Sequence, residues 1–254
     1  MGRIFISTFA CSVATLLTAC TSMSNTTSTS LLNTYSKRTP LTNTEIVGGL
    51  KEALTIGVNT GVKVLAAKNG YYDDLAVRIG LPPEAAIITE NIAKLPGGQT
   101  LVTNTIKSIN AAATDAVVNA TPIFVGAIKE MTITDASNIL RGNKTAATTY
   151  FKGKTKVGLK KLFSGYIQNS INKKLIGDVS CSSSWNTLTS NWNDVATTMV
   201  GRAAGLKTVN TDLNDYLTDK AVDGLYYKIG EQETNIRTNA SARTSALLQK
   251  VFGH

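Results

Sequence analysis

Residues 42–70 read TNTEIVGGLKEALTIGVNTGVKVLAAKNG, a sequence typical of a long amphipathic helix that ends at Asn69-Gly70. Thr42 and Glu45 have the spacing of a capping box, in which each side chain accepts a hydrogen bond from the other residue's backbone at the start of a helix. Gly57 and Gly61 lie one helical turn apart. Because a glycine inside a helix costs about 1 kcal/mol relative to alanine, this pair predicts close packing against a second helix. Apolar side chains recur at helical spacing along the stretch: Val47, Leu50, Leu54, Val58, Val62 and Leu65.

The same periodicity continues through the rest of the chain. No run alternates between apolar and polar residues as a half-buried strand does. We therefore predict an all-α fold, a single-domain bundle of short and medium amphipathic helices within residues 44–254. The expected helices cover residues 83–94, 99–119, 122–131, 144–175, 185–200 and 211–229, with shorter helical segments at 132–142, 231–237 and 242–252, and with loops at 177–184 and 201–210.

The N-terminus predicts export. Arg3 precedes an uncharged apolar run, Ile4 to Ala19, which is shorter than the ~20 residues of a membrane-spanning helix and is typical of a signal peptide over residues 1–19. Its end, Leu17-Thr18-Ala19-Cys20, resembles the lipobox of bacterial lipoproteins. The resemblance implies a lipid on Cys20 and, because Thr21 is not an aspartate, an outer-membrane anchor facing the periplasm if the cell is Gram-negative. The alternative is an ordinary secretory signal with a chance cysteine at its end.

The net charge of the mature chain limits the classes of binding partner. Residues 20–254 carry 25 Lys and Arg against 17 Asp and Glu, a net charge of +8. We expect no nucleic-acid partner for an exported, anchored protein. Anionic lipids or envelope polyanions are the alternative partners, and a lysine-rich surface that serves solubility alone is an equal alternative. Residues 20–43 are rich in Ser, Thr and Asn, which predicts a flexible tether.

Since only Cys181 remains in the domain, we expect no intramolecular disulfide and no cysteine metal cluster.

Several phrases of the domain occur in the order found in one bacterial family. They include Gly49-Leu50-Lys51-Glu52-Ala53-Leu54, Pro122-Ile123-Phe124, Tyr150-Phe151 and Asp223-Gly224-Leu225, and they continue to Val251-Phe252-Gly253. Over residues 44–253 the chain resembles the family catalogued as domain of unknown function 4197. The resemblance implies an exported helical protein and no known activity. The departures from the family pattern are at Gly80, Ser164 and Ala240, where they suit loops and caps.

Few side chains offer catalytic chemistry. His254 is the only histidine and the last residue, which disfavours histidine-dependent catalysis and histidine metal sites. No glycine-rich phosphate loop is present. We predict no catalytic residue, no metal and no cofactor. Four aspartates on one face of a predicted helix could hold a hard cation, but we favour a solvated face, because cation sites usually also draw ligands from loops. These are Asp212, Asp215, Asp219 and Asp223.

Two further charged groups are candidates for function. A polar cluster could line a pocket or supply paired carboxylates for acid–base catalysis; we favour the alternative, ion pairs that tie the C-terminal helices to the bundle. Between Arg141 and Gly177, nine Lys or Arg occur without an acidic residue. A basic amphipathic helix there could lie on an anionic membrane, or its lysines could snorkel at the edges of a bundle helix. The polar cluster is Arg78, Asp219, Asp223, Glu231, Glu233, Arg237 and Arg243, and the candidate membrane-facing lysines are Lys152, Lys154, Lys156, Lys160 and Lys161.

Three functions follow from these features. The leading hypothesis is a membrane-anchored, non-enzymatic lipoprotein that binds an envelope protein or lipid, or supports envelope organisation. The second is a carrier of a lipid or other apolar ligand between amphipathic helices. The third is a hydrolase or transferase that uses Glu231, Glu233 or Asp223.

Overall fold

The computed structural model describes residues 40–92 and 97–253, so the predicted signal peptide, Cys20, most of the predicted tether and His254 lie outside the described residues. Within those ranges the chain forms ten α-helices, two short 3-10 turns (Pro83–Ala85 and Ala240–Ala242) and an isolated bridge between Ile176 and Val179. The predicted all-α fold is confirmed. The helices are α1 (Asn43–Leu65), α2 (Ala86–Ile92), α3 (Gly98–Val117), α4 (Ala120–Glu130), α5 (Ala136–Arg141), α6 (Ala146–Ile171), α7 (Cys181–Thr197), α8 (Met199–Ala203), α9 (Leu213–Thr238) and α10 (Ala246–Phe252).

The start of α1 and its glycines behave as the sequence predicts. The Thr42 hydroxyl accepts a hydrogen bond from Glu45 N, and the Glu45 carboxylate accepts one from Thr42 N, which confirms the capping box. α1 packs most extensively against α9. A Cβ atom at Gly57 would lie 3.2 Å from Ile229 Cα, and one at Gly61 would lie 3.0 Å from a Leu225 methyl. The predicted close packing is therefore confirmed, because a side chain at either position would push the two helices apart.

The helix α9 is the centre of the bundle. α6 lies along a second side of α9. The two helices are antiparallel, because Lys152 pairs with Asp223, whereas Lys160, further along α6, pairs with Asp215, which comes earlier in α9. α3 packs against both α6 and α7. Under α4, the rings of Phe124, Phe151 and Tyr226 form a buried cluster with centroids 5.6 to 6.2 Å apart. This aromatic contact fixes the register of α4, α6 and α9.

Two buried polar side chains hold the non-helical segment 66–82 against the bundle. Tyr71 is fully buried, and its hydroxyl donates to the Ala221 carbonyl of α9 at 2.8 Å. The buried Asn110 of α3 accepts a hydrogen bond from Ile79 N and donates to Ile79 O. Burial of an amide is favourable only when its hydrogen bonds are made, so Asn110 specifies one position for this segment.

Some helix boundaries differ from the sequence prediction. α9 continues to Thr238, whereas a break was predicted at residue 230; Gly230 is buried where α9 meets α6, so packing offsets its low helix propensity. The predicted loop 177–184 is shorter, because Ser180 caps α7 at Cys181. The first residues of the predicted connection 201–210 are helical, because α8 continues to Ala203. α1 ends at Leu65, about one turn before Asn69-Gly70, where the sequence predicts its end.

None of the single helices in the described ranges is both long and apolar enough to cross a membrane. α3 and α4 together meet the criteria of length and composition, with a bend of 56° between them. Both carry core residues of the bundle, among them Ile109 in α3 and Phe124 in α4, which are fully buried within it.

Candidate functional site

The predicted aspartate stripe of α9 and the predicted basic face of α6 meet each other. Lys152 Nζ lies 2.8 Å from Asp223 Oδ1, and Lys156 Nζ lies 2.9 Å from Asp219 and 3.0 Å from Asp223. Lys160 Nζ lies 3.0 Å from Asp215 and completes the ladder. When two helices are antiparallel, side chains that recur once per turn on one helix can face side chains that recur once per turn on the other. The sequence patterns of α6 and α9, taken separately, did not reveal this pairing.

The ladder stabilises the charged forms of Asp223 and Lys156. Partial burial opposes ionisation of Asp223, but hydrogen bonds from Lys152 and Lys156 outweigh it, so the pKa of this carboxyl is lowered. Partial burial likewise disfavours the Lys156 ammonium, and Asp219 and Asp223 reverse the effect, so its pKa is raised. In the described ranges, no three His, Cys, Asp or Glu side chains converge as ligands for a metal ion.

Glu233 caps a helix other than its own. Its carboxylate is fully buried and accepts hydrogen bonds from Ala147 N at 3.0 Å and from Thr148 N and the Thr148 hydroxyl, both at 2.7 Å. The side chain of Thr145, the residue that precedes α6, makes no capping bond, so Glu233 supplies the cap from α9. A carboxylate is favourable there because the free N–H groups and the helix dipole are positive at a helix N-terminus.

Arg237 and Arg243 cap helix ends of the opposite polarity. Arg237 pairs with Glu233 at 2.8 Å and donates to the Leu140 carbonyl at 2.6 Å and the Ile139 carbonyl at 3.1 Å, in the last turn of α5. Arg243 donates to carbonyls in the last turn of α9, Ile236 at 2.9 Å and Arg237 at 3.0 Å. The C-terminal part of the predicted polar cluster is thus a network that joins helix ends, as the favoured alternative describes.

The remaining members of the cluster lie apart from Glu233. Arg78 is exposed; it donates to the Tyr72 carbonyl and lies 4.6 Å from the centroid of that ring. Glu231 is also exposed and pairs with Lys228 at 2.6 Å, and the same ammonium contacts Asp74 at 2.6 Å. The predicted cluster is therefore three separate groups: the helix caps, the ladder, and these surface contacts.

An open groove runs beside these groups, between the first turns of α6 and the C-terminal half of α9. Its volume is about 850 Å³. A smaller groove of about 430 Å³ meets it, and both are lined by Lys152, Asp223 and Tyr227. Neither Tyr227 nor Asn235 was among the predicted site residues. Asp223, Tyr227, Glu231 and Asn235 nevertheless follow one another at i+4 on one helix face. This polar groove is the candidate site.

A sequence model of the family described as "Protein of unknown function (DUF4197)" matches residues 40–253. The chain belongs to this family. The match spans all ten helices and both grooves, so the candidate site lies within the family domain. No curated protein and no solved structure matches the chain.

The five candidate membrane-facing lysines of the DUF4197 protein divide into two groups. Lys152, Lys156 and Lys160 turn towards α9 and form the ladder. Lys154 and Lys161 are exposed on the outer side of α6. The apolar side chains on the same exposed surface of α6 are Val157, which is 86% exposed, and Leu162, which is 62% exposed.

Cys181 of the DUF4197 protein is a free cysteine at the first position of α7. The sequence placed it in a loop, but it is buried, and burial raises the pKa of its thiol to about 11. The thiolate is the reactive form of cysteine, so burial suppresses the chemistry of this side chain at neutral pH.

Proposed function

We propose that this DUF4197 protein is a lipid-anchored, non-enzymatic binding module of the cell envelope, and that the groove between α6 and α9 is its binding surface. One observation carries the proposal: charged groups that a reaction would use are engaged in helix caps and ion pairs, while a large groove beside them stays open. A site that binds without reaction needs shape and a few polar contacts, which such a groove provides.

The carboxylates of the hydrolase hypothesis are poorly placed for proton transfer. Glu233 is fully buried and accepts bonds from the α6 N-terminus and from Arg237, so its oxygens do not reach the groove. Asp223 lies within 3.0 Å of two ammonium groups. A general base must reach the proton that it abstracts and must have a pKa near the working pH. These positions support binding over acid–base catalysis.

The anchor follows from the sequence. The resemblance of residues 17–20 to a lipobox implies that Cys20 carries lipid and becomes the N-terminus. Two or more acyl chains hold a protein stably at a membrane, whereas a single chain does so only marginally. Residues 20–43 would then connect the lipid to the first helix, and Thr21 favours the outer membrane facing the periplasm.

Substitution of Cys20 tests the anchor. In cells fed an alkyne fatty acid, the wild-type protein should take up the label and sediment with membranes, and Cys20→Ala should lose the label and become extractable without detergent. Cys181→Ala is the matched control and should behave as wild type. Label and membrane retention in Cys20→Ala would overturn the proposed anchor.

A further inference from the structure

We infer that the groove between α6 and α9 binds an uncharged, hydroxyl-rich ligand of the saccharide class. The inference rests on the proposed binding function, and it concerns the chemistry of the groove alone, so it does not depend on the anchor. Two helices form the walls, and the floor lies at Gly230, where a Cβ atom would come within 3.3 Å of Thr145 Cγ2. A groove of about 850 Å³ has the size of small-molecule sites.

The lining of the groove is rich in hydroxyl groups. Twelve residues line it, and five of them are threonines and two are tyrosines. Hydroxyls both donate and accept hydrogen bonds, as the hydroxyls of a sugar do. Most of the exposed lining surface is nevertheless carbon, which suits the C–H faces of a sugar ring, and oleate is the probe that separates a saccharide from a purely apolar ligand.

The charges of the groove are internally compensated. The Lys152 ammonium is neutralised by Asp223, and the Glu231 carboxylate by Lys228. An anionic ligand would have to displace Asp223 from its lysines, and a cation would have to displace Lys152 or Lys228. A neutral ligand leaves both pairs intact and still has their outer oxygens and N–H groups as hydrogen-bond partners.

Three side chains of the groove have polar groups that are available to a ligand. The Thr149 hydroxyl, the Asn235 amide and the Tyr227 hydroxyl make no hydrogen bond with other residues in the described ranges, and all three side chains are exposed. Tyr227 is 46% exposed at the junction of the two grooves. An aromatic ring offers an apolar face to the C–H groups of a sugar ring, and an amide both donates to and accepts from its hydroxyls.

Titration calorimetry on full-length protein in detergent tests the inference. The probes are chitotetraose, which represents the amino-sugar strands of a cell wall, and maltotetraose, which represents soluble glucans. Oleate and inorganic phosphate serve as the apolar and anionic comparators. We expect saturable binding of at least one tetrasaccharide, with affinity reduced by about tenfold or more in Tyr227→Ala and Asn235→Ala. Tyr166→Ala and Asn169→Ala, exposed residues of the same types on α6, should bind as wild type.

The two sugars distinguish the sources of the ligand. Preference for chitotetraose indicates a wall glycan, and preference for maltotetraose indicates a soluble glucan. The inference is overturned if neither sugar binds at up to about 10 mM, if oleate or phosphate binds instead, or if Tyr227→Ala and Asn235→Ala bind as wild type. Cys20→Ala should bind sugar unchanged, so failure of the anchor and failure of the ligand class give different results.

Discussion

Glu233 shows how a single charged residue can be committed to structure. It is fully buried, and it joins the N-terminus of α6 to Arg237, which in turn caps α5. Removal of one member of a buried pair leaves the other charge uncompensated, which costs about 3–5 kcal/mol. We expect Glu233→Gln to lower the free energy of unfolding by about that amount in urea titrations followed by circular dichroism.

The control for Glu233→Gln lies two residues away on the same helix. Glu231 is exposed, and its contact with Lys228 is a surface ion pair, which contributes about 0–1 kcal/mol. Glu231→Gln should therefore change the unfolding free energy little. Equal effects of the two substitutions would contradict the capping role of Glu233.

At the residue scale, the sequence predicts local partners and misses distant ones. Thr42 and Glu45 are three positions apart, so their capping box is visible in the sequence. Glu233 was singled out as a charged residue, but its partners at Ala147 and Thr148 are 86 and 85 positions away. No local rule connects a side chain to the backbone of a helix end that only folding brings near.

At the scale of helices, two glycines with opposite surroundings give opposite predictions. At Gly57 a Cβ atom would contact the backbone of α9, so Gly57→Ala should cost about 1–3 kcal/mol through displaced packing. At Gly158, on the exposed surface of α6, a Cβ atom would meet nothing within 4 Å. Gly158→Ala should therefore stabilise the protein by about 0.5–1 kcal/mol through helix propensity. Thermal unfolding of both variants measures the difference, and a change of the same sign in both would contradict the α1–α9 geometry.

The helices themselves were largely predictable, because their 3.6-residue periodicity is a local property of the sequence. Their ends and pairings were less so. Gly230 predicted a break in α9, but this residue is buried against the start of α6 at Thr145, and α9 continues through it. Both sides of the Lys–Asp ladder were also recognised, as a basic run and an aspartate stripe. The pairing of individual lysines with individual aspartates depends on the antiparallel arrangement of α6 and α9, which the sequence does not show. The groove beside the ladder was not predicted for the same reason.

At the scale of the whole molecule, the outer surface of α6 is the candidate contact with an anionic membrane. It presents Lys154 and Lys161 beside the exposed Val157 and Leu162. Each lysine near such a surface contributes about 1 kcal/mol to binding. In the Cys20→Ala background, Lys154→Glu with Lys161→Glu should weaken sedimentation with phosphatidylglycerol vesicles by about tenfold or more.

Two comparisons control the vesicle experiment. Lys63→Glu with Lys68→Glu reverses two exposed charges at and just beyond the C-terminal end of α1, so it changes the net charge as much as the double substitution on α6 but should have a smaller effect. Vesicles of phosphatidylcholine, which have no net charge, should bind both proteins equally weakly. If the α6 variant and the Lys63→Glu, Lys68→Glu variant bind anionic vesicles equally, the +8 charge acts as a whole and α6 has no special orientation.

Acid should weaken the whole bundle, because carboxylates join separate helices to one another. Hydrogen bonds from Lys250 of α10 and from Thr42 lower the pKa of Glu45 to about 2. The pKa of Asp115 is lowered despite its partial burial, because Lys173 and Ser170 hold its ionised form, and that of Asp223 is lowered within the ladder. A carboxyl whose pKa is lower in the folded state stabilises the fold above its unfolded pKa of about 4, and this contribution is lost as the pH falls towards the folded value.

We therefore expect the melting temperature to be nearly constant from pH 7 to about 5 and to fall progressively between about pH 4.5 and 2, as the rising net positive charge adds repulsion. Because the pKa of Glu45 is lowered to about 2, its share of this loss begins near its unfolded pKa and continues down to about pH 2. Glu45→Gln should lower the melting temperature at pH 7 and make the remaining acid-induced fall smaller, since the contribution that acid would remove is already absent. Melting curves followed at 222 nm measure both. A melting temperature that stays constant down to pH 2.5 would show that these ion pairs do not stabilise the contacts of α1 with α10, of α3 with the end of α6, and of α6 with α9.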